Sequence, residues 1–182
     1  MRHKLFCTFG LVVLALCGLA ASPAGAATAA GPYYANPSWD QTLPSDIRFI
    51  VLSNMNSDAV LDRETGLVWE KSPSASSVDW VSAHDHCNQL IVGNRKGWRL
   101  PTVQELASLV DPSVPFPGPT IPAGHPFTNV VPPFGFWSTT IDVFNAGFEW
   151  VVTFNLGSVF PGDKNGGRGA WCVRGGQGMA PQ

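Results

Sequence analysis

The sequence predicts an α+β domain: two short helices packed on small antiparallel sheets, with long loops and one disulfide. Three observations carry this. Apolar runs with strand-like patterning flank Gly-containing turns at 59–69 and 148–160. Two segments, 76–91 and 102–110, open on Ser/Thr with an acid three residues later and continue with apolar residues three and four apart. Cys87 and Cys172 are the only cysteines outside the N-terminal segment.

That N-terminal segment reads as a signal peptide over residues 1–26. Arg2 and Lys4 precede an uncharged run from Leu5 to Leu19, and Ala24-Gly25-Ala26 fits the small-x-small pattern of a signal peptidase site, with Ala27-Thr28-Ala29 as a second. A transmembrane anchor would need a longer apolar run. A lipoprotein would use Cys17, after a Leu16 bulkier than that processing prefers. The expectation is an exported protein, located in the periplasm, at the cell surface or outside the cell. The rest of the chain has 13 acids against 9 bases, a formal charge of −4. That argues against nucleic acid as a partner, since phosphate binding wants a basic surface. No later segment is long and apolar enough to span a membrane. In an oxidising compartment a lone cysteine pair forms a disulfide, so Cys87–Cys172 is predicted. A metal or redox pair would want a second cysteine close to one of them.

The elements follow in order. Residues 27–54 form a leader and a first strand: 27–47 are rich in Ala, Gly, Pro and Ser with little periodicity, pinned where Trp39 and Leu43 find apolar cover, and Phe49–Leu52 is apolar. Ala59–Leu61 and Leu67–Trp69 make a hairpin around "DRETG", with Gly66 supplying a positive φ. Ser76 and Asp79 predict a capping box for a helix burying Trp80, Ala83, Cys87, Leu90 and Ile91. His84 and His86 flank Asp85 but point apart on a helix, so they do not share a metal. Thr102 and Glu105 predict a second box, for a helix over 103–110 that Pro112 stops. Eight of the 16 prolines fall within 112–133, which makes that stretch a long stiff loop of the kind that carries function. Phe134–Thr140 reads as a strand. In "FEWVVTFNLGSVF" Phe148, Trp150, Val152 and Phe154 face one side and Glu149, Val151 and Thr153 the other, and Gly157 turns the chain back. "PGDKNGGRG" is a Gly-rich loop before a last strand, "AWCVR", and 177–182 form a flexible tail.

The motifs "AVLDRETGLVWEKSP", Trp80-Ala83-Cys87, "GNRKGWRLPTVQELASLVD", "GHPF", "FWSTT", Trp150–Phe154 and "WCVRGG" occur in the order found in a bacterial domain family. Over 55–176 the chain resembles the C-terminal domain of a collagen-like adhesin, the Lcl C-terminal domain family. The resemblance implies a C-type-lectin-like fold. "WRLPTVQEL" is also similar to the RLPT-x-x-E-W segment of formylglycine-generating-enzyme-type domains, with Leu106 in place of the Trp. In C-type lectins a cysteine on the first helix bridges to one on the last strand, as Cys87 and Cys172 would. The departures bear on function. The oxidase branch of the fold uses active-site cysteines, and this chain has none to spare. The E-P-N and Q-P-D calcium triplets are absent; "DKN" at 163–165 offers oxygens to a calcium ion, but Lys164 opposes one. No cofactor and no metal site is expected.

The function expected is an exported, non-catalytic binding or surface-interaction module for a glycan or protein. The contact candidates are Phe116, Ile121, His125 and Phe127 in the Pro-rich loop, Asp142, Phe144 and Asn145 in the following loop, and Phe160, Lys164 and Arg168 near the end. Most of the aromatics, including Phe127, Trp98, Trp137, Trp150 and Trp171, are expected in the core. Trp98, Arg99, Leu100, Pro101, Thr102 and Glu105 form a structural motif in which Arg99 holds backbone carbonyls or a carboxylate such as Asp111. The alternative is an exported enzyme on the same scaffold. Ser108, Ser138, His125 and Asp111 would then have to converge, without a G-x-S-x-G elbow to announce them. An envelope structural protein is a third reading. The basic residues fall in two groups, Arg95-Lys96-Arg99 and Lys164-Arg168-Arg174, and weak or no heparin binding at physiological salt is expected from the net charge.

Overall fold

The computed structural model describes residues 42–130 and 135–176. Trp39, Phe134, the N-terminal segment and the tail lie outside the described residues. A helical turn, α1 (Ser45–Arg48), leads directly into β1 (Phe49–Val51), so this part of the expected leader is structured. Leu43 N–H donates to Glu64, and Ser45 Oγ donates to the Ala123 carbonyl. β2 (Ala59–Asp62) and β3 (Leu67–Glu70) form the expected hairpin, with Gly66 at φ 72°. Then come β4 (Ser74–Val78), α2 (Trp80–Gln89) and α3 (Val103–Ala107). The second half holds β5 (Phe136–Ile141), β6 (Phe148–Val152), β7 (Val159–Asp163), β8 (Arg168–Ala170) and β9 (Val173–Arg174). The strands make two sheets, ordered β1-β2-β3-β9 and β4-β8-β5-β6-β7, antiparallel except where β5 meets β8.

Several expected boundaries move. Ser76 is not a helix cap: it lies in β4, which pairs with β8. Asp79 alone caps α2, accepting the Ser82 N–H at 2.7 Å. Ile91 lies past the helix end and is exposed, while Ala83 and Cys87 are fully buried. α3 ends at Ala107, well before Pro112, because Leu109 and Val110 N–H groups reach back three residues and tighten the last turn. The face of β6 that holds Glu149 and Val151 is as deeply buried as that of Val152, because each face packs on its own core, Val151 in one and Val152 in the other. "PGD" belongs to β7 rather than a loop; Pro161 is tolerated there because β7 is an edge strand. "AWCVR" is two strands, β8 and β9, in different sheets. The chain crosses from one sheet to the other at Trp171-Cys172.

The crossing residues hold the sheets together. Trp171 meets Trp69, Phe127, Phe136 and Phe154 with ring centroids 5.0–5.5 Å apart, forming the centre of one apolar core. Its Nε1 donates to the Glu70 carbonyl at 2.8 Å. Cys172 is bonded to Cys87 on α2, so the expected disulfide is present; it lies in a second core with Ala83, Trp98, Leu100, Trp137 and Val151. Burial satisfies most indole donors: Trp98 Nε1 reaches Arg95 O and Trp137 Nε1 reaches Val78 O, both at 2.9 Å. Trp69 Nε1 has no partner among the described residues.

Backbone pairing and a capped helix start fix the segment 98–105. Arg99 exchanges two backbone hydrogen bonds of 2.9 Å with Val173, so it extends the sheet beside β9. Extended geometry then sends Trp98 and Leu100 into the core and Arg99 to the other side. The Thr102–Glu105 capping box is complete. Arg99 grips Glu105, not Asp111, through paired bonds of 2.7 and 2.8 Å, and also donates to the carbonyls of Leu100 and Gly175.

Candidate functional site

The turn between β5 and β6 displays the most exposed aromatic side chain of the described core-forming domain. Phe144 is 95 % exposed and its neighbour Val143 77 %. Hydrogen bonds to two side chains and two carbonyls organise the backbone beneath them. Asp142 accepts the Phe144 N–H on Oδ1 at 3.0 Å and the Asn145 N–H on its carbonyl at 3.1 Å. Asn145 accepts the Gly147 N–H on Oδ1 at 3.1 Å and the Phe148 N–H on its carbonyl at 2.9 Å. Asp142 and Asn145 thus build the turn, and Phe144 is what the turn presents.

Lys164 braces the turn from below. Its N–H donates to Gly147 O at 2.9 Å and its carbonyl accepts the Trp80 N–H at 3.0 Å, linking the turn to the start of α2. Its ammonium lies 2.9 Å from Glu149 Oε1 and 4.9 Å from the Trp80 ring centroid. Glu149 is fully buried, and burial raises its carboxyl pKa against the opposing pull of Lys164. Lys164 is therefore a support, not the free contact residue expected. Arg168 is also a support: its guanidinium lies over Trp137 and Phe160, and Nη1 donates to Gly167 O.

The structure groups Asp142, Phe144, Asn145 and Lys164, and places Phe116 and His125 in the Pro-rich loop. Phe116 is 67 % exposed. Ile121 and Phe127 are buried core residues, which removes them as contacts. His125 is half-buried beside Phe127, and burial lowers its pKa. Ser138 donates to Trp150 O, Ser108 to Glu105 O, and Asp111 accepts from Ser113, so each hydroxyl or acid of the alternative enzyme reading has its partner elsewhere. Trp150, expected in the core, is half-buried. In "DKN", Asp163 Oδ1 accepts both the backbone and side-chain N–H groups of Asn165, and Lys164 turns to Glu149. Of the two basic groups, Arg174 reaches the Lys96 carbonyl with Nε at 2.9 Å, which brings one residue of each together.

A second feature carries no signal in the sequence. A cleft of about 380 Å³ opens beside the disulfide, lined by Asp58, Glu70, Lys71, Ser72, Val92 and Thr128. Glu70, at the end of β3, is 8 % exposed; burial raises its carboxyl pKa to about 7, against a hydrogen bond from Cys172 N–H. Carboxylate, imidazole and sulfur atoms of Glu70, His86 and Cys172 lie within 4.8 Å of one another. The sulfur is committed to the disulfide, so the trio is not a thiolate metal site.

Two small sheets, short helices and one core disulfide define an α+β domain that displays a braced turn on one sheet. The model of the Lcl C-terminal domain matches residues 58–174, and the chain belongs to that family. The match begins next to β2, so α1 and β1 precede it. No curated protein matches the sequence. No helix among the described residues is long and apolar enough to cross a membrane.

Proposed function

We propose that this chain is an exported, non-catalytic binding module with a C-type-lectin-like fold, which holds a glycan or protein ligand at the turn 142–147. The observation that supports the reading is Phe144, 95 % exposed on a turn that Asp142 and Asn145 hold with side-chain and backbone hydrogen bonds. An apolar ring in water gains free energy when a partner covers it, either a sugar face or a side-chain pocket. A turn already ordered by Asp142, Asn145 and the Lys164–Glu149 pair loses little conformational entropy on binding. Support for the fold comes from the disulfide, which joins a helix to the chain entering the last strand. Support for export comes from that disulfide and from the signal-like residues 1–26.

A glycan array and a pull-down on the mature chain test the proposal. The expected result is a ligand whose binding falls roughly tenfold or more in Phe144→Ser, at an unchanged melting temperature. A ligand held equally by wild type and Phe144→Ser would place the contact surface elsewhere.

A further inference from the structure

Three acids of this domain are deeply buried, and two of them face a cation. Asp62 lies 2.9 Å from Arg48 and Glu149 lies 2.9 Å from Lys164. Glu70 makes no ion pair among the described residues; its one hydrogen bond is a long one, 3.4 Å, from Cys172 N–H to Oε2. Buried carboxylates are paired as a rule, because removing one from water without a partner costs several kcal/mol. Unlike the other two, Glu70 lines an open cleft. Its missing partner has room to come from outside the chain.

We propose that the cleft binds a primary ammonium group, with Glu70 as its counter-ion. An ammonium is a compact charge with three donors, and it needs acceptors on several sides. Glu70 supplies the carboxylate, and two hydroxyl-bearing residues, Ser72 and Thr128, line the same cleft, with Ser72 Oγ also accepting from Asn129 Nδ2 at 2.8 Å. Asp58 adds negative potential, and Val92 offers an apolar wall for the carbon next to the nitrogen. A metal ion fits less well: with the Cys172 sulfur in the disulfide, only one carboxylate and one imidazole remain of the nearest trio. Two groups on the chain compete with the ligand: Lys71 on the cleft wall and His86, whose ring nitrogen is within 4.8 Å of the Glu70 carboxylate. A proton on Glu70 also competes, so binding strengthens as pH rises through about 7.

Amide shifts of Glu70, Ser72 and Thr128 in the full mature chain test this. The probes are methylammonium, a lysine methylamide and glucosamine, with tetramethylammonium at equal ionic strength as the control that donates no N–H. Methylammonium is expected to give a saturable shift with a Kd on the order of millimolar. Tetramethylammonium gives none, and Glu70→Gln weakens the binding by on the order of tenfold. Tighter binding of lysine methylamide points to a protein side chain as the natural source, and tighter binding of glucosamine to an amino sugar. Equal titrations of wild type and Glu70→Gln, or equal shifts from tetramethylammonium, overturn the proposal. Wild type alone gives a second arm: affinities that do not differ between about pH 5.5 and about pH 8 also overturn it. Phe144→Ser should leave these titrations unchanged, so failure here and failure of the binding turn are separable.

Discussion

Replacing Asp62 by Ala should destabilise the domain by about 3 kcal/mol, because it strands a buried arginine. Asp62 is fully buried and accepts four hydrogen bonds: Arg48 Nε at 3.0 Å, Arg48 Nη2 at 2.9 Å, and Glu64 N–H and Thr65 Oγ1 at 3.0 Å each. Arg48 is 6 % exposed, donates also to Ser108 O at 2.8 Å, and covers the Phe49 ring at 4.8 Å. One network thus ties α1, β1, β2 and the end of α3. Removing one partner of a buried pair costs about 3–5 kcal/mol, and we take the lower figure because Glu64 stays. Its carboxylate is 2.9 Å from Arg48 Nη1.

The described part of the domain has about 130 residues. At about 2.1 cal/mol/K per residue its unfolding entropy is about 0.27 kcal/mol/K, so 3 kcal/mol lowers the melting temperature by about 11 °C. Calorimetry on the chain measures it, and proteolysis near Phe49 reports whether α1 and β1 loosen first. The double variant Arg48→Met, Asp62→Leu removes both charges and should be more stable than Asp62→Ala alone, since the cost lies in the stranded charge. A drop of less than about 3 °C in Asp62→Ala would refute the reasoning. So would a double variant no better than the single one.

Three further outcomes are expected. Replacing Cys87 and Cys172 by Ala opens a link across 85 residues and should cost about 4.5 kcal/mol in the chain-entropy model; urea denaturation reads it, and a loss below about 1 kcal/mol would show that the unfolded chain is constrained by other means. Arg99→Lys loses the two-pronged grip on Glu105 and should lower stability by about 1–2 kcal/mol; an unchanged melting curve would mean that the capping box alone holds α3. Glu70 has a folded-state pKa above its ordinary value, so the folded state holds its proton longer and stability falls as pH rises from 4.5 to about 7. Glu70→Gln should therefore gain on wild type across that window, by at most about 3 kcal/mol, and a pH-independent difference in urea midpoints would contradict the assignment.

Features whose chemistry is local could be read from the sequence. The Thr102–Glu105 box needs only residues three apart, and Gly66 serves a turn closed by its own neighbours. The disulfide needed only a count and a compartment. Features decided by a distant partner are not legible in the sequence. Ser76 and Asp79 look alike as caps until β8 claims Ser76 for a strand. "AWCVR" has one apolar pattern, yet a sheet crossing divides it, because Trp171 fills one core while Cys172 joins α2. Lys164 and Arg168 read as ligand-contact candidates; a buried carboxylate and two aromatic rings, brought in by the fold, engage them instead.

The acids show the same limit most sharply. Asp62, Glu70 and Glu149 each lie beside apolar strand residues, and nothing in their neighbouring letters separates them. What separates them is the partner: Arg48, from 14 residues away, for Asp62; Lys164, across a hairpin, for Glu149; none within the described chain for Glu70. A protein that pairs two buried carboxylates has the means to pair the third. Leaving Glu70 unpaired costs stability at neutral pH, and costs of this kind tend to persist where a site requires them. Filling the gap from within would be simple in chemical terms. A second cation on the wall of the cleft besides Lys71, as in Val92→Lys, should reach Glu70, lower its pKa and raise stability at pH 8. If Val92→Lys is more stable and no longer binds methylammonium, the unpaired carboxylate serves the cleft; if it is more stable and binds as before, Glu70 is a flaw in packing and nothing more.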